Sequence, residues 1–307
     1  MNHDFLRFAE KISEYNNNSG DKGIGTLSER CLHSIIKSYY EEDTSKHEVK
    51  VCGFVADIKN DCGIIEIQTN NFHPLNKKLE KYLEENNVTI VYPVSHIKHI
   101  VWVDPISGEI VKRNKSPKKG NGMEFLYEAS RIRKYLTNKR LSFEILLIDM
   151  DEYRLLNGWG KGGKRGSVRC DRKPISLYDV IRINGREDIA KILPPDFPSG
   201  VFKFSEFEKV TKMRGITARY SMNALIDFGA VEVAGKDKNS FIYRLTIYLH
   251  SIVGVSISSI LSMTLFRTCA EALSRLSSSA LSGISSRSLI PSEPTTAGSP
   301  MHIPDSP

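Results

Sequence analysis

The spacing of apolar residues changes several times in the first third of the chain. Between positions 27 and 36 they recur every three or four residues, which predicts a helix. The stretch HEVKVCGFVADI then alternates and predicts a strand, and after the turn NDCG the stretch GIIEIQT predicts a second strand. A helix with Pro74 in its first turn and Asn87 near its end follows. The continuous apolar run VTIVYPV is typical of a strand buried on both faces, so the predicted order is α-β-β-α-β.

The pattern between this segment and residue 245 predicts a second set of elements. A hairpin closed by a Pro-Ile-Ser-Gly turn is predicted for HIVWVDPISGEIVKR, a helix for FLYEASRIRKYLT and a strand for LSFEILLIDMDEYRLL. A long, basic, glycine-rich loop, GWGKGGKRGSVRCDRKP, comes next. Ser176 then caps a predicted helix from Leu177 to Ile183. From Phe202 the prediction is helix, turn, helix, strand, turn and strand.

The composition of the chain changes abruptly near Thr246. Lys238 is the last lysine and Asn239 the last asparagine, and the following residues are rich in Ser, Leu, Ile and Pro. Three interpretations of residues 246–307 are open. The tail is an aberrant extension from a frameshift or fusion, a buried or amphipathic helix, or a weak transmembrane helix over the uncharged stretch Leu245 to Phe266. The serines in that stretch weigh against the third interpretation, and the Ser/Pro-rich end is predicted to be disordered.

The net charge and the cysteines limit the kinds of ligand, metal site and compartment that fit this protein. The formal net charge of +7 permits binding to a polyanion. None of the five cysteines stands in a C-x-x-C pair, which argues against a zinc site built mainly of cysteines. Their odd number and irregular spacing suit reduced thiols, and the N-terminal sequence MNHDFLRFAEKI has no apolar core typical of a signal peptide. We therefore expect a cytoplasmic protein that is not membrane-bound.

Acidic residues in the α-β-β-α-β segment are the candidates for chemistry. Asp57 is predicted at the end of one strand and Glu66 on the next, so the two can approach each other on a twisted hairpin. Glu66 and Gln68 are two residues apart and project from the same face of their strand. Converging carboxylates favour a hard divalent cation such as Mg²⁺, which can activate water and stabilise a pentavalent phosphate.

These residues, in this order of elements, resemble the PD-(D/E)XK nuclease superfamily over residues 24–95. The resemblance implies an α/β (α+β) restriction-endonuclease-like core with a mixed sheet. It also implies that Glu29 on the first helix, Asp57 and Glu66 bind the metal. The body also resembles a group of bacterial proteins of the low-GC Gram-positive type, which implies no function.

The sequence departs from the superfamily pattern at two positions. Gln68 stands where a catalytic lysine is usual, so Lys77 or Lys78 at the start of the next helix is expected to supply it. Ala56 replaces the proline before the aspartate.

The same acidic residues also have structural interpretations. Glu66 could be exposed on an edge strand, Asp57 could form a turn, and Glu29 could interact with a helix dipole. His33, one helical turn after Glu29, could point into the same site or be a surface histidine.

The segment from Phe202 resembles winged-helix domains in general. Such a module places its second helix in the major groove and its wing, here Ala234 to Asn239, on the DNA backbone. The residues expected to contact DNA are Thr217, Arg219, Tyr220 and Asn223 on the helix and Lys236 and Lys238 on the wing. The alternative is a winged helix that binds protein.

Two basic loops are candidates for contacts with phosphates, because lysine and arginine displace the counterions of DNA. The residues are Lys115, Lys118 and Lys119 in the first loop and Lys161, Lys164, Arg165 and Arg169 in the second. Trp159 could stack on a base, although a solvated flexible hairpin is an equal alternative.

The sequence therefore predicts four parts: an N-terminal helix or linker (1–23), a nuclease-like domain (24–195), a winged-helix domain (196–245) and the tail (246–307). The main hypothesis is a Mg²⁺-dependent endonuclease acting on DNA. A cutter of both strands would need two active sites, which a homodimer would supply. The alternatives are a non-catalytic DNA-binding or regulatory protein that retains the fold, and a membrane-tethered version of either.

Overall fold

The computed structural model describes residues 3–19, 30–156, 158, 167 and 169–247. Its larger sheet contains β1 (His47–Val51), β2 (Phe54–Asn60), β3 (Gly63–Ile67), β4 (Val88–Val103), β5 (Ile110–Lys115), β6 (Leu141–Leu155) and β7 (Arg169–Ile183). The helices are α1 (His3–Ser19), α2 (Arg30–Tyr40), α3 (Leu75–Glu85) and α4 (Glu124–Ala129), with 3-10 helices at Thr44–Lys46, Ser130–Tyr135 and Arg186–Ile192. A smaller module consists of β8 (Val201–Lys203), α5 (Phe204–Thr211), α6 (Gly215–Asp227), β9 (Val231–Asp237) and β10 (Ser240–Leu245).

The larger sheet is mixed, and its strands follow the order β1-β2-β3-β4-β6-β7, with β5 paired to β4. Strands β1, β2 and β3 form an antiparallel meander, whereas β3, β4 and β6 run parallel and β7 returns antiparallel to β6. The protein is therefore a mixed α/β fold, as the sequence predicts.

Helices cover both faces of this sheet. On β6, Ile145 and Leu147 belong to one buried cluster, while Leu146 and Ile148 belong to the other. Helices α1 and α2 contribute to the second cluster, and α3, α4 and the smaller module contribute to the first. This burial on both faces explains why the central strands are continuous apolar runs.

The predicted strand HEVKVCGFVADI is two strands in the structure. Cys52 (φ 48°) and Gly53 (φ 82°) both adopt left-handed backbone conformations, which close a hairpin between β1 and β2. The core order is therefore α-β-β-β-α-β rather than α-β-β-α-β, and Asp57 lies inside β2 rather than at its end. The prediction was wrong here because alternation of side chains continues through the turn.

The predicted helix from Leu177 to Ile183 is also wrong. These residues, together with Arg169 to Lys173 of the predicted basic loop, form β7. Leu177 and Ile181 are spaced as on a helix face, but Ile181 and Ile183 are buried around the exposed Arg182, which is strand spacing. These residues form a strand because β7 pairs with β6 along nearly all of its length, and strand preference depends on such tertiary context.

The smaller module has the predicted order of helix, helix, strand and strand, preceded by the short strand β8, which the sequence did not indicate. Its antiparallel strands follow the order β8-β10-β9. Strand β9 extends to Asp237, so only Lys238 and Asn239 form the turn within the predicted wing. Phe228 packs against Phe125 and Phe143, so the module shares a hydrophobic core with the larger sheet.

No helix within the described ranges is long and apolar enough to cross a membrane. The predictions for the tail beyond Ile247 lie outside the described residues, as do those for Glu29, Trp159, Lys161, Lys164 and Arg165.

Candidate functional site

The carboxylates of Asp57 and Glu66 come together on neighbouring strands. The register that pairs Ile58 with Ile65 places Asp57 on β2 beside Glu66 on β3. The charge of Asp57 raises the pKa of Glu66, although burial has the larger effect. The approach predicted from the short turn between the strands is thus found in the structure.

Glu66 is buried, with 1% of its surface exposed, so it is not a residue of an exposed edge. Lys78 on α3 donates hydrogen bonds from Nζ to both carboxylate oxygens, at 2.9 and 2.8 Å, and to the carbonyl oxygen of Val55 at 2.7 Å. Of the two candidate lysines, the structure therefore places Lys78 at the site, whereas Lys77 is exposed on the same helix.

Burial raises the pKa of Glu66 to about 7, and Asp57 adds to this effect while Lys78 opposes it. Loss of solvation penalises the ionised form of a buried carboxyl group. Near neutral pH, Glu66 is therefore poised between its protonated form and the ionised form that a metal needs.

We expect the stability of the protein to fall as pH rises toward neutrality. Glu66 titrates near 4.5 in an unfolded chain and near 7 in the folded protein. The native state binds the proton of Glu66 more tightly than the unfolded chain does. The stabilisation that this proton gives the folded protein is therefore fully present below pH 4.5 and is lost as pH rises through about 7. About 3 kcal/mol of unfolding free energy is expected to be lost.

Urea unfolding of the wild type and of Glu66→Gln across this pH range measures that loss. The Glu66→Gln variant should lack the contribution of Glu66 to the slope of unfolding free energy against pH. An equal slope in both proteins would show that Glu66 is not the titrating group.

Asp57 is held in its ionised form. Burial alone would raise its pKa, but His33, the Ile67 N–H and Lys78 together outweigh burial and lower the pKa below its usual value. The backbone N–H of Ile67 donates to Asp57 Oδ2 at 2.8 Å, and His33 Nε2 lies 3.3 Å from the same oxygen. Asp57 is therefore an anchored carboxylate rather than a turn former.

His33 belongs to the site, although the sequence left this open. It projects from α2 toward Asp57 and lines a cleft of about 890 Å³ with Lys37, Glu48 and Gln68. Glu48 has a left-handed backbone (φ 52°) and accepts a hydrogen bond from Lys37 at 2.8 Å. From the sequence, Glu48 is only a residue near the start of a predicted strand. Its contact with α2 could not be predicted, because the local pattern does not show which helix packs against that strand.

The two carboxylates suit Mg²⁺, which proteins commonly bind through one or two carboxylates together with water and substrate phosphate. Burial of Glu66 beside Asp57 gives a pair of oxygen donors of the hardness that this ion prefers. Within the described ranges, no group of three or more His, Cys, Asp or Glu side chains is arranged to hold a metal ion. A site built from this part of the chain would therefore rest on Asp57 and Glu66.

The residues predicted to contact DNA are distributed over several surfaces. Lys115 and Lys119 are exposed, while Lys118 and Arg169 line a second cavity. On the smaller module, Thr217, Arg219, Lys236 and Lys238 are exposed and Asn223 is half-buried.

Tyr220 packs edge-on against Tyr127, and Arg131 lies over both rings. Tyr220 therefore packs against α4 and the following 3-10 helix, while 39% of its surface remains exposed.

Comparison with known proteins gives two matches. A family model described as "Domain of unknown function (DUF8091)" matches residues 30–184, about half of the chain. A protein of Treponema pallidum (strain Nichols), described as "Uncharacterized protein", is 27% identical over 222 residues, which cover 72% of this chain and 87% of that relative. No solved structure matches.

Proposed function

This chain belongs to the family of the domain of unknown function DUF8091, and we propose that it is a Mg²⁺-dependent deoxyribonuclease. The observation that carries this proposal is the buried carboxylate of Glu66, which lies beside Asp57 and is bridged on both oxygens by Lys78. Burying an ionisable pair costs stability, and such groups with strongly shifted pKa values concentrate at functional sites.

The topology supports a restriction-endonuclease-like core. Helix α2 precedes the β1-β2-β3 meander, and α3 then leads into β4, which is parallel to β3. Asp57 and Glu66 lie on two adjacent strands of the meander, in the order that the PD-(D/E)XK superfamily uses for its metal-binding acids.

Lys78 can supply the positive charge that the superfamily pattern expects two residues after Glu66. Gln68 leaves the position two residues after Glu66 without an ammonium group, and Lys78 brings one to Glu66 from the next helix. Val55 also accepts a hydrogen bond from the ammonium group through its carbonyl oxygen, so Lys78 has a second anchor at the site besides Glu66.

In this mechanism, Asp57 and the ionised Glu66 would hold Mg²⁺, which activates water and offsets charge on the phosphate. Ile67 and His33 keep the Asp57 carboxylate oriented. Lys78 provides a positive charge where negative charge develops on the phosphate, and Gln68 orients groups in the adjoining cleft.

The smaller module supports binding to DNA as a winged helix. Its order β8-α5-α6-β9-β10 places two helices before a hairpin with exposed lysines. The exposed start of α6, with Thr217, Arg219 and the partly packed Tyr220, is the part available to the major groove.

A DNA-binding protein without catalysis is the second candidate. It is favoured by Lys78, which occupies both oxygens of Glu66, and by the glutamine at position 68. Under this hypothesis Lys78 replaces the metal as the counter-charge of Glu66.

Cleavage of supercoiled plasmid by the full chain distinguishes the two candidates. The nuclease hypothesis requires nicking or cutting with Mg²⁺ or Mn²⁺ and none with EDTA. A protein that shifts the plasmid in a gel but leaves it intact with both ions has the second function.

Binding to DNA through the module is expected to weaken with salt, because bound phosphates release counterions. Lys236→Gln should lower the affinity for all sequences alike and reduce the slope of log affinity against log salt by about one. Fluorescence anisotropy across a salt series measures both. Lys139→Gln, which removes an exposed lysine of the loop before β6, is the control and should leave the slope unchanged.

A further inference from the structure

A second cavity, of about 430 Å³, adjoins the cleft beside the two carboxylates. Thr69, just after β3, lines both of them. The wall of the second cavity comes from Tyr92 to Ser95 of β4 and from Gly120, and its cations are Lys98, Lys118, Arg154, Arg169 and Arg172. The two cavities therefore share Thr69, just beyond the carboxyl end of β3. The first cavity lies beside Asp57, because His33 lines it and is 3.3 Å from the Asp57 carboxylate.

A bulge in β4 directs a cation into this cavity. The pairing of β4 with β6 shifts between Ser95 and Lys98. Asp149 Oδ1 fixes the bulge, since it accepts from Ile97 N–H at 2.9 Å and lies 2.8 Å from His96 Nδ1. Lys98 then reaches Glu152 at 3.1 Å inside the cavity. Bulges of this kind commonly re-aim side chains at functional sites.

The segment that packs against the bulge requires a glycine. Gly120 N–H donates to the carbonyl oxygens of Ser95 and His96. A Cβ atom on Gly120 would lie 2.4 Å from the carbonyl oxygen of Ser95 and 2.6 Å from Val94. The chain that carries Lys118 can approach β4 this closely only because residue 120 has no side chain.

The cavity has an excess of positive charge. Five cationic side chains line it and two carboxylates, Glu124 and Glu152, oppose them, which leaves a net charge of +3 among the described lining residues. Glu152 is buried and is already neutralised by Lys98 and Arg154. Glu124 lies 3.7 Å from Lys118, so each carboxylate of the cavity faces at least one of its cations.

We propose that this cavity binds the terminal phosphate of a nucleic-acid strand whose neighbouring phosphodiester lies at Asp57 and Glu66. The proposal rests on the proposed function and adds a preference for phosphorylated ends. A terminal phosphate carries a charge of about −1.5 to −2, more than a backbone diester, and so matches the excess charge better. The cavity, of about 430 Å³, also has the volume of a small-ligand pocket.

Binding of short labelled oligonucleotides to the full chain in EDTA tests this inference without cleavage. The oligonucleotides carry a 5′-phosphate, a 3′-phosphate or only hydroxyl ends. One phosphorylated form should bind roughly tenfold more tightly than the hydroxyl form, the effect of about one charge-assisted hydrogen bond. Lys118→Gln and Arg169→Gln should each reduce this preference.

Lys119→Gln is the matched control, because it removes the same charge one residue away but does not line the cavity. Its preference should equal that of the wild type. Equal affinity for phosphate and hydroxyl ends would overturn the inference, as would a preference that survives both cavity variants. Inorganic phosphate that binds as tightly as the phosphorylated strand would also overturn it. Since cleavage is not measured, the result is independent of whether the protein is a nuclease.

Discussion

Replacing Asp57 with asparagine is expected to lower the Mg²⁺-dependent rate of DNA cleavage by roughly 10³-fold, equivalent to about 4 kcal/mol of transition-state stabilisation. The substitution removes one negative oxygen from the pair that would hold the cation. It keeps an acceptor for the Ile67 N–H, so the local fold should persist. Single-turnover cleavage at saturating protein measures the chemical step, and anisotropy in EDTA shows whether affinity for DNA is retained.

Asp61→Asn is the control for this experiment. Asp61 is an exposed acid in the turn between β2 and β3, close to the site in sequence but outside its contacts. Its cleavage rate should match that of the wild type. Equal rates in Asp57→Asn and the wild type would remove Asp57 from the catalytic site.

Replacing Lys78 with methionine is expected to destabilise the protein by about 3 kcal/mol at pH 8, because a buried carboxylate then loses its counter-charge. The loss should be smaller at pH 6, where Glu66, with its pKa of about 7, can take up a proton. Cleavage should also fall, by roughly 10²-fold, since the ammonium no longer faces the developing charge. Urea unfolding at both pH values measures the first effect and plasmid nicking the second.

Two further variants separate the structural and catalytic parts of this prediction. The double variant Glu66→Gln, Lys78→Met should regain most of the stability, because neutral partners need no counter-charge, but not the activity. Lys77→Met, on the exposed side of α3, should change stability by no more than about 0.5 kcal/mol. A Lys78→Met protein that cuts DNA at the wild-type rate would leave Lys78 with a structural role only.

The proximity of Asp57 and Glu66 could be predicted because a short turn joins their strands and fixes the register locally. The position of Lys78 was also encoded in the sequence. Leu75 and Tyr82, three residues before and four after it, are both buried and place Lys78 on the flank of the packed face. The helical spacing from those two residues therefore favours Lys78 over Lys77.

Other features depend on contacts between distant segments. The hairpin at Cys52 and Gly53 interrupts a pattern that alternates across it, and β7 exists because β6 offers an edge along its full length. The cationic cavity draws its side chains from β4, the loop before α4, β6 and β7, and one of them is aimed by a shift in register. A sequence pattern does not reveal which of several lysines and arginines such a shift brings together.

Binding of Mn²⁺ to the full chain, followed by the electron paramagnetic resonance signal of the free ion, tests whether Asp57 and Glu66 form a metal site. We expect saturable binding by the wild type and by Asp61→Asn, and its loss in Asp57→Asn and in Glu66→Gln. Binding should strengthen as pH rises through about 7, where Glu66 ionises. Equal binding in all four proteins, or none in the wild type, would contradict the assignment of these carboxylates as the metal site.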